Sequence, residues 1–201
     1  PGSDEGALPP GADRLCLSLE EVQAFAPEAA ILASPASLHL EAALTLAGAG
    51  VHLLVEKPLS VSAAGIDALI SRCQASSVVL MVGYNLRFMP SLIRMRELVR
   101  AGAIGQVLSA RAEVGQYLPD WRPTADYRQG VTARAALGGG VLLELSHDID
   151  YILWILGLPA RVTAAGGKFS DLEWDVEDLA ELLLEYDYPR RLVSIHLDML
   201  Q

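Results

Sequence analysis

Two residues, Lys57 and His147, sit in surroundings that are hard to explain without chemistry. Lys57 closes the run Val51-His52-Leu53-Leu54-Val55-Glu56-Lys57-Pro58. The apolar, β-favouring start of that run reads as a strand buried on both faces, as in a parallel sheet. In an open α/β sheet, ligands bind at the carboxyl ends of the strands. Pro58 disfavours a helical conformation at the residue before it. Lys57 is therefore expected to project from a strand end on a stiff backbone. The plain alternative is a solvated Glu56–Lys57 pair ahead of a turn.

His147 belongs to a second cluster. Glu144, His147, Asp148, Asp150 and Tyr151 follow Gly138-Gly139-Gly140 within a helix expected over 141–156. Glu144, His147 and Tyr151 are spaced i, i+3, i+7 and should share one face, with Asp148 at its border. Leu142, Leu145, Ile149, Ile152 and Ile155 would supply the buried sides. Ionisable groups this dense on an apolar helix are costly to bury without a use. A histidine beside carboxylates can serve as a general base near neutral pH. The plain alternative is a histidine hydrogen-bonded in the core of a capped helix. Glu144 and His147 also form a Glu-x-x-His pair of the kind di-iron bundles use. Such bundles need a second pair and further inward carboxylates, which the chain lacks, so no metal is expected. His39 follows Ser34-Pro35 at another strand end and could either face a ligand or pack at a helix start. His52 and His196 read as structural.

The elements that must carry these residues follow from periodicity. Ser18 can cap a short helix through Val22, with Glu20 and Glu21 at its positive end. Residues 29–33 form a short apolar strand. A helix is expected over 38–47, with Ser37 as N-cap and Gly48 and Gly50 as stop signals. After strand 51–55, Ser60 or Ser62 should start a helix running to about Cys73, and residues 78–82 make a third strand. Strands alternating with helices on short connections imply right-handed crossovers and a parallel sheet. Pro90 opens a helix over 91–100. The pattern breaks at 101–105, which divides the chain into 1–103 and 104–201. Beyond it, Leu108, Ala110, Ala112 and Val114 alternate with polar residues as in a strand with one wet face. Trp121, Arg122, Tyr127 and Arg128 lie in a long polar loop of a kind that is usually functional or mobile. Strands are expected at 161–165, 179–186 and 192–199. Residues 179–185 would pass for a helix by propensity, but the alternation of their neighbours favours a strand. The fold class is α/β: a partial parallel sheet, then a partial α+β unit with a mostly antiparallel sheet.

Composition narrows the partners. The net charge of −10 over 201 residues argues against nucleic acid. Cys16 and Cys73 are isolated, so neither a disulfide framework nor a structural zinc site is expected, and a reducing cytosol fits best. No apolar run reaches the length of a membrane span.

Taken together, these motifs resemble the glucose–fructose oxidoreductase, inositol dehydrogenase and rhizopine-catabolism (Gfo/Idh/MocA) family. Ala33-Ser34-Pro35 with His39 resembles its T/S-P-x-x-x-H segment near the cofactor. Glu56-Lys57-Pro58 matches its EKP motif, and Gly83-Tyr84-Asn85-Leu86-Arg87-Phe88 its next strand-end motif. The stretch from Gly138 through Glu144, His147 and Asp150 looks like its catalytic-histidine helix.

The resemblance implies a partial NAD(P)-binding Rossmann domain over 1–103 and a substrate or oligomerisation domain over 104–201. It also implies NAD or NADP as cofactor and oxidation or reduction of a hydroxyl on a sugar, cyclitol or nucleotide sugar. Lys57 and His147 would be catalytic, with Glu144 or Asp148 as the acidic partner of His147. Ser34, Pro35, His39, Glu56, Lys57, Tyr84, Asn85 and Arg87 would face the cofactor. Trp121, Arg122, Tyr127 and Arg128 would line the sugar pocket. A homo-oligomer through the C-terminal sheet is expected. Two departures stand out. Glu144 and His147 are three apart rather than four, and no G-x-G-x-x-G phosphate turn occurs. The second suggests a piece of a longer protein and keeps open a non-catalytic alternative, a domain that packs or oligomerises without binding cofactor.

Overall fold

The three apolar runs of the first half pair as a parallel sheet in the order β1-β2-β3. They are β1 (Ala29–Leu32), β2 (His52–Val55) and β3 (Leu80–Val82) in a computed structural model that describes residues 8, 10–121 and 123–201. Leu32 pairs with Val55, and Val55 with Val82. The three carboxyl ends are therefore level, and Ser34, Lys57 and Tyr84 leave the sheet side by side. Helices α2 (His39–Gly48) and α3 (Ile66–Ala75) supply the crossovers. Ala43, Leu46, Val51, Leu53, Val55 and Leu69 form the core between helices and sheet. Ser18 caps α1 (Leu19–Phe25) by accepting the Glu21 amide, and Pro90 opens α4 (Pro90–Arg100) at its first position.

Two helix starts differ from expectation. Ser37 is not a cap, because it lies inside a tight helical turn, Ala36–Leu38, that runs straight into α2. Neither Ser60 nor Ser62 starts α3. The Ser60 hydroxyl instead accepts the Ser62 amide within the preceding loop, and Gly65, at φ 84°, stands at the N-cap. A side chain at Gly65 would strike Leu40 of α2, so packing of the two helices decides where α3 begins.

The second sheet has the order β4-β7-β6-β5, from β4 (Ser109–Gly115), β5 (Arg161–Gly167), β6 (Leu179–Tyr186) and β7 (Arg191–Asp198). Only the β4–β7 pair is parallel. Residues 179–186 are a strand despite their helical propensity. Ala180, Leu184 and Tyr186 are buried on one face while Glu181 and Leu183 stand out on the other. That inner face, with Val193, Ile195 and Leu197 of β7, packs with Ile152 of α7 (Ser146–Leu156).

The stretch 116–140 is not an unstructured loop. It holds α5 (Leu118–Trp121) and three tight helical turns at Tyr127–Gln129, Val131–Ala133 and Ala135–Leu137. The single helix expected over 141–156 is broken at Leu145 into α6 (Val141–Glu144) and α7. Glu144 and His147 thus belong to different helices.

Candidate active site

The break at Leu145 is what brings Lys57 into contact with the second half. In an unbroken helix the Glu144 carbonyl would accept the Asp148 amide. That amide instead donates to the Leu145 carbonyl, and Lys57 Nζ takes the Glu144 carbonyl at 2.8 Å. Lys57 also reaches Glu144 Oε1 at 3.3 Å, and the other carboxylate oxygen accepts from Thr132 Oγ1 at 3.3 Å. The lysine side chain is only 17% exposed, so the pair is partly desolvated and its attraction stronger than at a free surface. Between Glu144 and Asp148, it is Glu144 that Lys57 engages.

His147 stands on the first turn of α7, edge-on to the Tyr84 ring at 5.7 Å between centroids. Its Nδ1 is buried and has no hydrogen-bond partner. Burial, and then the Lys57 charge, hold its pKa below the usual histidine value, against Asp148, Asp150 and Glu56. The ring is therefore neutral near pH 7 and able to take a proton. Burial in turn holds the Asp148 carboxyl above its usual range, against the pull of Tyr151 and His147. Arg87 is committed to Asp150 through two short contacts. Asn85 opens the helical turn, Asn85–Phe88, that presents Arg87.

His39 is turned inward. Its ring is 1% exposed, with Nδ1 2.9 Å from the Pro58 carbonyl and Nε2 2.8 Å from the Ser34 carbonyl. It braces the ends of β1 and β2 against each other, and so acts on Lys57 through the backbone. Pro35 accepts the Leu38 amide and bends the chain into α2, while the Glu56 carboxylate accepts the Lys57 amide. Glu56 also faces Gly83, where a Cβ would lie 3.0 Å from the carboxylate.

The triple glycine is a junction that sequence reading treated only as a helix start. A Cβ at Gly138 would press on Val61 and Ala36 of the first half. At Gly139 it would collide with the Val131 and Thr132 carbonyls, and at Gly140 with the Glu177 carboxylate. Glu177 also receives the first amides of α6, from Val141 on its carbonyl and from Leu142 on its carboxylate. Thr132 and Glu177 were not legible as site residues, because only long-range contacts reveal them.

Beside Glu144 lies a cavity of about 220 Å³, lined among others by Leu118, Trp121, Asp126, Tyr127, Thr132 and Glu144. The structure thus brings Trp121 and Tyr127 to the Lys57–Glu144 pair. Arg128 is placed otherwise: its guanidinium is held by Asp126 and Glu173. Arg122 lies outside the described residues. Among the described residues no cluster of metal-ligating side chains occurs.

Comparison with known proteins places the fold in a family. Residues 92–199 match the model of the GFO/IDH/MocA C-terminal domain. Residues 11–84 match that of an oxidoreductase family with an NAD-binding Rossmann fold. The chain belongs to the Gfo/Idh/MocA family. Levoglucosan dehydrogenase from Pseudarthrobacter phenanthrenivorans is 33% identical over 137 residues, covering 66% of this chain and 34% of the relative. Trans-1,2-dihydrobenzene-1,2-diol dehydrogenase from Mus musculus is 31% identical over 162 residues, 79% of this chain and 45% of the relative. Among solved structures, GenD2 from gentamicin A biosynthesis, in complex with NAD, superimposes with a TM-score of 0.80 at 29% identity, over 94% of this chain and 53% of that one. The chain spans between a third and a half of the length of these curated relatives. Among the described residues no helix is long and apolar enough to cross a membrane.

Proposed function

We propose that the protein carrying this chain is an NAD(P)-dependent oxidoreductase acting on a hydroxyl of a neutral, single-ring polyol. The observation that carries this reading is the meeting of Lys57, Glu144 and His147 at level strand ends. The chain holds residues suited to the nicotinamide end of the cofactor: a neutral histidine with an unpartnered ring nitrogen, beside a lysine at the carboxyl ends of a parallel sheet. Bound NAD(P) would supply or accept the hydride. Lys57 would hold the substrate oxygen and offset the negative charge that develops on it. His147 would take the hydroxyl proton in oxidation and return it in reduction. The Glu144 carboxylate, shared with Thr132, fixes the direction of the lysine head group.

The cavity beside Glu144 supports the substrate class. Its described lining carries two carboxylates and neither lysine nor arginine. Its donors are largely spent: Trp121 Nε1 donates to the Gln116 carbonyl and the Thr132 hydroxyl to Glu144. A ligand rich in hydroxyl donors and able to stack on Trp121 and Tyr127 fits this lining, whereas a phosphate or carboxylate would face the Asp126 and Glu144 carboxylates and find Lys57 already shared with Glu144.

The test follows NAD(P) reduction spectroscopically with a panel of neutral hexoses and cyclitols against uronic acids, sugar phosphates and nucleotide sugars. Neutral rings should turn over best, and Lys57→Met should lower kcat/KM by about 100-fold or more, the scale of a lost proton-transfer or charge-stabilising group. Full turnover by Lys57→Met would overturn the catalytic assignment. Equal use of the anionic sugars would overturn the substrate class.

A further inference from the structure

Arg87 and Asp150 join the two halves of the chain at a place the proposed chemistry does not use. Arg87 Nε donates to Asp150 Oδ2 at 2.8 Å and its terminal nitrogen to Oδ1 at 2.6 Å. This paired geometry fixes orientation as well as distance. The Asp150 side chain is only 11% exposed. Asp150 lies one turn beyond His147 on α7, so the two side chains share a face. Arg87 lies one short turn beyond Tyr84, whose ring touches His147. The same two segments therefore meet twice, once through the rings and once through the ion pair.

We propose that the Arg87–Asp150 pair positions His147 and governs its readiness to accept a proton, with the guanidinium neutralising a carboxylate that would otherwise act on the imidazole. The inference rests on the reading of His147 as the proton-transferring group. The groups that bear on His147 are Lys57 from the end of β2, Glu56 beside it, Tyr84 from the end of β3, and Asp148 and Asp150 from its own helix. Burial and Lys57 favour the neutral ring, while the three carboxylates favour the charged one. Of these three, Asp150 is the one tied to a guanidinium. Arg87 thus helps keep His147 neutral, and Asp150 keeps the ring from becoming too weak a base. Arg96 adds a second clasp nearby, donating to the Trp154 carbonyl at 3.1 Å with its guanidinium 4.2 Å from the centre of the indole. This contact can hold α7 in place when the ion pair is altered.

The experiment is an NMR titration of the histidine rings, which is tractable because the chain has four histidines; a His147→Gln sample assigns the His147 signal. Arg87→Met leaves Asp150 unneutralised and should raise the His147 titration midpoint by several tenths of a pH unit. Asp150→Asn removes the carboxylate, leaves Arg87 behind, and should lower it by a similar amount. Arg87→Lys keeps the charge and should restore a midpoint near that of the parent chain. A pair acting only as a mechanical clasp would behave differently: either variant would loosen α7, hydrate the ring and move the midpoint upward. Two upward shifts, or no shift in either variant, would overturn the proposal. Should Arg87→Met fail to fold by circular dichroism, Arg87→Gln carries the same expectation. Neither substrate nor cofactor is needed. Opposite shifts together with full turnover by His147→Gln in the protein carrying this chain would therefore reject His147 as the proton-transferring group and leave its positioning by the ion pair standing.

Discussion

Asp178 shows how much a single residue outside the site can hold in place. It is fully buried, and its carboxylate accepts from the Phe169 amide at 2.8 Å, the Ser170 amide at 3.1 Å and the Ser170 hydroxyl at 2.6 Å. Burial works against its charge, but these hydrogen bonds prevail and hold its pKa below the usual range. Its own amide and carbonyl bond to Gly167 and Met199, so the residue ties the end of β5 to the residue that follows β7. Its neighbour Glu177 caps α6, so the segment that orients Glu144 depends on this anchor. Asp178→Ala would remove the acceptor of three part-buried donors, which water can partly satisfy, so each costs less than a fully buried unpaired group. The expected loss of stability is about 1–3 kcal/mol, measured by urea unfolding; a loss within experimental error would show that the loop finds other acceptors.

Among the elements, the junction at the triple glycine is the most constrained. Gly139→Ala would drive a methyl group into the Val131 and Thr132 carbonyls, backbone atoms that cannot step aside alone. Overpacking of this kind costs about 1–3 kcal/mol, and here it would also shift Thr132 away from Glu144. Urea unfolding should show that loss. If the variant is as stable as the parent chain, the close packing at this corner is wrong. The same corner shows what sequence can and cannot reveal. Lys57 and His147 were legible because each breaks a local apolar pattern, and β6 because its neighbours alternate. The break in the helix at Leu145 was not legible, because the amine that takes the freed Glu144 carbonyl is 87 positions away. Ser37 and Ser60 had the right chemistry for capping, but a preceding proline turn and the contact of Gly65 with Leu40 moved the helix starts. Thr132 and Glu177 carry no local signal, since each acts only through a partner remote in sequence.

At the scale of the whole molecule, the second half carries two histidines of opposite character, His147 on α7 and His196 on β7, and stability should record both. His147, at the junction, is held below the ordinary histidine value of 6.5, first by burial and then by Lys57. Its contribution is present above that value and is lost as pH falls through the lowered one. His196, on β7, lies 2.6 Å from Glu181 and 2.9 Å from the buried Asp198. The hydrogen bond with Glu181, and against burial that with Asp198, hold His196 above 6.5. Its contribution is fully present below 6.5 and is lost as pH rises through the raised value. Stability should therefore decline on both sides of a maximum near 6.5. Glu181 is more than half exposed, so added salt should weaken its share, whereas the Asp198 contact, 1% exposed on the acid side, should resist salt. Urea midpoints measured across this range should lose their alkaline decline in His196→Gln and their acid decline in His147→Gln. An alkaline decline that survives His196→Gln unchanged would mean that the charge on β7 does not contribute to folding.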